Sequence, residues 1–170
     1  MISQKIETAF NEQINAELYS GYLYLSVAAH FAAENLAGMS NWMRVQAMEE
    51  FTHAQKFYEH VLERGGSVRL TAIEGPPTQW ETPLAAFEAA LKHEKYITKR
   101  INDLAELAEG EKDRAAGVFL QWFITEQVEE EAHAGDLVER LRMVGDKGPA
   151  LLMIDRELAA RQFHAEGDES

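Results

Sequence analysis

In the stretch MRVQAMEEFTHAQKFYEHV, residues 43–61, Met43, Gln46, Ala47, Ala54, Phe57 and Val61 recur at helical steps and form one stripe. Glu50 and His53 fall on that stripe too, because three residues are about 300° of helical turn. A carboxylate and an imidazole pointing into an apolar core are costly unless something compensates them. A metal ion would compensate both. One Glu-x-x-His is too short a motif to carry that assignment alone, so the rest of the chain has to decide it.

The helical period extends in both directions. From residue 4 to about 34, Ile6, Phe10, Ile14, Glu17, Gly21, Tyr24, Ala28 and Phe31 share one face, with Ser3 as N-cap. Asn35 and Gly38 end this first helix. Ser40 is then expected to cap a second, which runs to about Arg64 and stops at Gly65-Gly66. Residues 66–82 lose the period and include Gly75, Pro76 and Pro77. That is a long connection for a compact domain. Extended, it reaches roughly 55 Å, whereas a helix of about 25 residues is about 38 Å long. The segment can therefore run the length of a bundle and make the second and third helices parallel.

Thr82-Pro83 starts a third helix, with Leu84, Phe87, Leu91, Glu94, Ile97, Ile101, Leu104 and Leu107 leading to Gly110. Asp113 caps a fourth, to about Val144, whose inner stripe is Leu120, Phe123, Gln127, Glu130, Ala134, Leu137 and Leu141. Gly148-Pro149 begins a short fifth helix to about Phe163. The expected fold is all-α: a four-helix bundle with one long crossover and a short fifth C-terminal helix. It forms a single domain over residues 1–165, followed by a flexible tail, 166–170.

Composition narrows the function classes. Hydrophobic residues are 46% and charged residues 26%, a globular balance. The absence of cysteine excludes disulfides, Fe–S clusters and thiolate zinc sites. A net charge of −13 argues against nucleic acid and anionic membranes as partners, since both need a positive face. No apolar run approaches a membrane span, and Met1 to Phe10 contain no apolar signal-like segment. A cytoplasmic protein is expected.

Each long helix carries acidic or amide residues on its apolar stripe near its middle: Glu17; Glu50 and His53; Glu94; Gln127 and Glu130. The interval from Glu17 to Glu50 equals the interval from Glu94 to Gln127. One constant shift along the chain maps Glu17, Glu50 and His53 onto Glu94, Gln127 and Glu130. Two helical hairpins facing each other around one site would produce this register. Buried carboxylates at one level repel and protonate unless cations share the site. Hard oxygens with one imidazole suit Fe or Mn better than Zn. The alternative is that these residues are helix-surface charges. A rival register pairs Glu130 with His133, one helical turn out of level. Glu49, Glu126, Glu129 and Glu130 form a second acidic cluster, read either as a third metal position or as a solvated acidic face. Tyr24 lies two helical turns after Glu17 and faces the site, as a hydrogen-bond donor, an electron source or core packing. Trp122 reads as packing. His30, His60, His93 and His164 show no partner pattern.

Four stretches carry a resemblance: Glu12-Gln13-Ile14-Asn15-Ala16-Glu17-Leu18-Tyr19 with Tyr24; Glu49-Glu50-Phe51-Thr52-His53-Ala54; Glu94; and Trp122 through Gln127-Val128-Glu129-Glu130-Glu131. From Asn11 to about Phe163 the chain resembles a non-haem bacterial ferritin. The resemblance implies a ferritin-like bundle and ferroxidase activity at a di-iron site. Glu17, Glu50 and His53 would hold one iron, and Glu50, Glu94 and Glu130 the other. Gln127 would stand adjacent, and Glu49, Glu126, Glu129 and Glu130 would form a third position. Fe(II) would be oxidised by O₂ or H₂O₂ and stored as Fe(III) mineral inside a 24-subunit homo-oligomeric cage. Haem is not expected, because Phe51 stands where haem-containing relatives carry methionine. A di-iron oxidase or manganese catalase on the same bundle, a miniferritin and a metal-free structural bundle remain as rivals.

Overall fold

The computed structural model describes residues 1–163 of the chain. The expected tail, 166–170, and His164 lie outside them. Five helices and no strand occur among the described residues: α1 (Gln4–Ala33), α2 (Ala37–Glu63), α3 (Pro83–Gly110), α4 (Arg114–Val144) and α5 (Pro149–Leu158).

Three helix starts follow from side-chain caps. The Ser3 hydroxyl accepts from Ile6 N, Thr82 Oγ1 from Ala85 N and Asp113 Oδ1 from Ala116 N. Pro83 and Pro149 sit in first turns, where a missing N–H costs nothing. The start of α2 differs from expectation. Asn35 turns the chain with φ +59°, and the helix begins at Ala37 without a side-chain cap. Ser40 is inside the helix, where its hydroxyl donates to Ala28 O at 2.8 Å and ties α2 to α1. Gly38 is not a terminator either. A Cβ there would overlap the carbonyl oxygen of Asp155, so glycine lets α5 seat its backbone directly on α2. Helix α5 is also shorter than expected and ends at Leu158.

Residues 66–82 run alongside α1. Asn11 Nδ2 donates to Ser67 O, Asn15 Nδ2 to Thr71 Oγ1, and the Ser26 hydroxyl to Pro77 O. Further along, Trp80 packs against His30. The segment thus travels from the α2 C-terminus to the far end of the bundle, and α3 starts there, parallel to α2. Phe87 stacks on Phe31 at that end.

The core is two apolar clusters. One surrounds Phe31, Met39, Met43, Phe87, Leu137 and Leu141 and includes the buried face of α5. The other surrounds Ile6, Phe10, Phe57, Ile101, Leu120 and Phe123. Between them every long helix places polar residues: Glu17 on α1, Glu50 and His53 on α2, Glu94 on α3, Gln127 and Glu130 on α4.

Gly38→Ala is expected to lower stability by at least about 1–3 kcal/mol, because the clash is with backbone that cannot rotate away. Thermal unfolding and limited proteolysis after Val144 check it. An unchanged melting temperature with α5 still protected would contradict the role assigned to Gly38.

Candidate metal centre

The polar layer is closed to solvent. Glu17, Glu50, His53, Glu94, Gln127 and Glu130 are each at most 4% exposed. Their helices bring ligand atoms of Glu17, Glu50 and His53 within 4.8 Å of one another. A second grouping within the same limit joins His53, Glu126 and Glu130. His53 is common to both. Its ring stands edge-on against Trp122 and Phe123, at 5.4 and 5.8 Å between centroids, which fixes its plane. Gly21 clears space for Phe51, since a Cβ at residue 21 would overlap that ring.

Amides hold the carboxylates. Gln13 Nε2 donates to Glu17 Oε1 at 2.7 Å. Gln46 Nε2 donates to Glu130 Oε2 at 2.6 Å and to Glu50 Oε1 at 3.3 Å. Gln127 Nε2 donates to Glu94 Oε2 at 3.2 Å, and the Tyr24 hydroxyl donates to Glu94 Oε1. Both Glu94 oxygens are thus engaged, and Glu94 is in neither ligand grouping. Glu17 Oε2, in contrast, is buried and reached by no N–H or O–H donor, while the Glu50 carboxyl lies beside Glu17. Two adjacent carboxyl groups with one undonated oxygen need a shared proton or a cation. The donor set, oxygens with one imidazole, fits a divalent iron-like ion.

The electrostatics agree. Burial, then the neighbouring Glu50, pushes Glu17 up to about 8. Burial and Glu50 likewise raise Glu94 to about 8. Burial and Glu94 raise Glu130 to about 8. Glu50 stands well above the ordinary carboxylate range through burial and Glu130. Tyr24 is raised well above its ordinary value by burial and then by Glu94, so it stays a phenol that donates. Without a cation, the layer holds protons that a metal would displace.

The remaining expected residues separate by exposure. Glu126 is half-buried and in the second grouping, and Glu129 is exposed. Glu49 is half-buried and bound by Arg161 Nη2 at 2.5 Å. His133 is exposed, whereas Gln127 and Glu130 face inward. His93, which shows no partner pattern in the sequence, has a partner in the fold: its Nε2 meets the Ser20 hydroxyl at 2.7 Å, and burial lowers it to about 4. Sequence reasoning gave no site role to Gln13 and Gln46. Their signal was present: each stands one helical turn before a ligand-type glutamate, and the interval between them matches that between Glu17 and Glu50.

A family model described as a ferritin-like domain matches residues 7–144. This chain belongs to the ferritin family. A bacterial non-heme ferritin of Bacteroides fragilis (strain 638R) is 41% identical over 161 residues, covering 95% of this chain and all of that one. The bacterial non-heme ferritin of Staphylococcus saprophyticus is 37% identical over 163 residues, covering 96% and 98%. Among solved ferritins, an engineered closed form of the Archaeoglobus fulgidus protein superposes with a TM-score of 0.95 at 55% identity, over 96% of this chain and all of that one. An open-pore ferritin of the same archaeon gives 0.94 at 56%, over 95% and 99%.

The raised carboxyl groups set a pH dependence. In the metal-free fold, Glu17, Glu94 and Glu130 keep their protons to about pH 8, against 4.5 ordinarily. Their contribution to stability is therefore full below about pH 4.5 and is lost as pH rises through about 8. A bound divalent cation reverses this, because it prefers the ionised ligands. Melting of metal-free and Co(II)-loaded protein should show a larger Co(II) gain at about pH 8.5 than at about pH 5.5. Equal gains would contradict it.

Proposed function

We propose that this ferritin is an iron-storage protein with ferroxidase activity, taking Fe(II) as substrate at the layer between the two apolar clusters. The observation that carries the reading is the buried convergence of Glu17, Glu50 and His53, with Glu17 Oε2 lacking a donor. His53, Glu126 and Glu130 supply an adjacent set of ligand atoms.

The residues divide the work. Glu17 and His53 hold one Fe(II). Glu50, from the middle of α2, faces both halves and serves as bridge. Glu130 and Glu94 serve the second position, the latter once Tyr24 and Gln127 yield one of its oxygens. Two Fe(II) give one electron each to O₂, which takes up two protons and leaves as H₂O₂. With H₂O₂ as oxidant, the same two electrons and two protons give two waters. Anionic carboxylates stabilise Fe(III) over Fe(II), which favours oxidation. Gln127 adds no charge, and its amide nitrogen is turned to Glu94 and to Thr98 Oγ1. The second position is therefore the weaker one, from which oxidised iron leaves. Half-buried Glu126 and exposed Glu129 continue the acidic surface beyond it and, with Glu49 and Glu130, make the third position.

We further infer a hollow shell of 24 copies in which the mineral collects, on the strength of the near-complete coverage of ferritin relatives. No helix among the described residues is long and apolar enough to cross a membrane, in keeping with a cytoplasmic setting. A miniferritin is disfavoured because ligand-type residues come from all four long helices of one chain.

Replacing both Glu50 and His53 with Ala should cut the initial rate of Fe(II) oxidation by about 100-fold or more. Stopped-flow absorbance of Fe(III) checks this, and an unchanged rate would defeat the assignment. Light scattering tests the shell separately. The particle should have twenty-four times the mass of the 19.2 kDa chain, and a 12-mer or dimer would overturn it.

A further inference from the structure

Two arginines stand behind the centre in the same arrangement. Arg100 Nε donates to Gln13 Oε1 at 2.8 Å, and Gln13 Nε2 donates to Glu17 Oε1. Arg161 Nη1 donates to Gln46 Oε1 at 2.9 Å, and Gln46 Nε2 donates to Glu130 Oε2. Each relay reads guanidinium, amide, carboxylate. The amides are almost fully buried, at 0% and 1% exposure, and the arginines reach them from the protein surface.

The chemistry of an amide explains why a cation sits at its far end. A glutamine beside a carboxyl group has two orientations of similar shape. With its NH₂ inward it supports the ionised carboxylate. With its carbonyl inward it repels that carboxylate, or presents a stray oxygen to the ion. A guanidinium has donors only, so it holds the carbonyl outward and forces the NH₂ inward. The choice of oxygen matters as well. Gln13 occupies Glu17 Oε1 and leaves Oε2 undonated, and Gln46 takes up Glu130 Oε2. Each relay thereby fixes which carboxylate oxygen is offered.

We propose that Arg100 and Arg161 are positioning residues for the two iron positions, each acting through its glutamine: Arg100 through Gln13 on Glu17, and Arg161 through Gln46 on Glu130. The proposal rests on the di-iron reading above. Arg161 carries a further load. Its second nitrogen binds Glu49, and its guanidinium stacks on Trp42 at 4.4 Å. Any cation recruiting Glu49 Oε2 competes with it. The C-terminal segment after α5 is thus wired to the second position, and α3 to the first.

The sign of the effect separates positioning from plain charge. An arginine acting only through its positive charge would repel the metal, so its removal would tighten binding. A positioning arginine does the reverse. Co(II) is titrated anaerobically into the assembled protein by calorimetry, for the parent, Arg100→Met, Arg161→Met, and the amide variants Gln13→Met and Gln46→Met. The parent should show two binding steps per chain. Arg100→Met and Gln13→Met should weaken the step that Glu17→Ala abolishes by about 10- to 100-fold. Arg161→Met and Gln46→Met should weaken the other step to the same extent and the first step by less, because Gln46 Nε2 also reaches Glu50 Oε1 at 3.3 Å. The amide variants leave the surface contacts of the arginines in place, and they give the answer if an arginine variant does not assemble. Unchanged or tighter binding in the variants, or equal weakening of both steps, overturns the proposal. A parent that takes up fewer than two Co(II) per chain defeats the di-iron reading itself, and the proposal with it.

Discussion

Desolvation of four carboxyl groups in one layer is the constraint on which the rest of the structure depends. An ionised carboxylate buried without a partner costs several kcal/mol. A domain has about 5–15 kcal/mol of net stability in all. Glu17, Glu50, Glu94 and Glu130 cannot all be bare anions in a folded chain. They are protonated, as their raised values imply, or they surround cations. The two apolar clusters on either side hold the helices above and below the layer, while Gln46–Glu130, Tyr24–Glu94 and Gln127–Glu94 tie helices across it.

The layer is also lopsided. One half has an imidazole and a carboxyl oxygen with no donor; the other has a neutral amide and a glutamate whose oxygens are both occupied. Glu17 and Glu130 are both buried, whereas Glu126, one helical turn before Glu130, is half-buried and Glu129 is exposed. On the proposed function, Glu126 and Glu129 give the oxidised product a way from the buried layer to the surface.

Much of this was legible because helices write their inner faces at short range. The stripes on α1 to α4, the caps Ser3, Thr82 and Asp113, and the parallel α2 and α3 all follow from local spacing and from the length of residues 66–82. What escaped depends on partners far away in sequence. Ser40 looks like a cap until Ala28 is known to accept its hydroxyl. Gly38 looks like a stop until Asp155 is known to lie against it. The layer itself was visible as polar residues on apolar stripes, yet Glu94 could not be seen to spend its oxygens on Tyr24 and Gln127. Arg161 carries no local signal, since nothing in its neighbourhood announces Gln46 or Glu49.

The contacts of Arg161 give α5 a second task. An amphipathic helix of ten residues could serve only to cover one end of the bundle. Here its placement is over-determined: Gly38 admits its backbone, Asp155 Oδ1 accepts from Met39 N at 2.8 Å, and Asn41 Nδ2 donates to Arg161 O at 2.9 Å. A cover would need only apolar contact. These polar contacts set where the chain leaves the helix, and hence where the Arg161 guanidinium sits relative to Gln46 and Glu49. On the other side, Arg100 needs no such apparatus, because α3 already lines the layer. The pseudo-symmetric hairpins supply the ligand-type residues in matched pairs. The symmetry breaks where the arginines enter, one from α3 and one from the segment after α5, a helix that must be docked first.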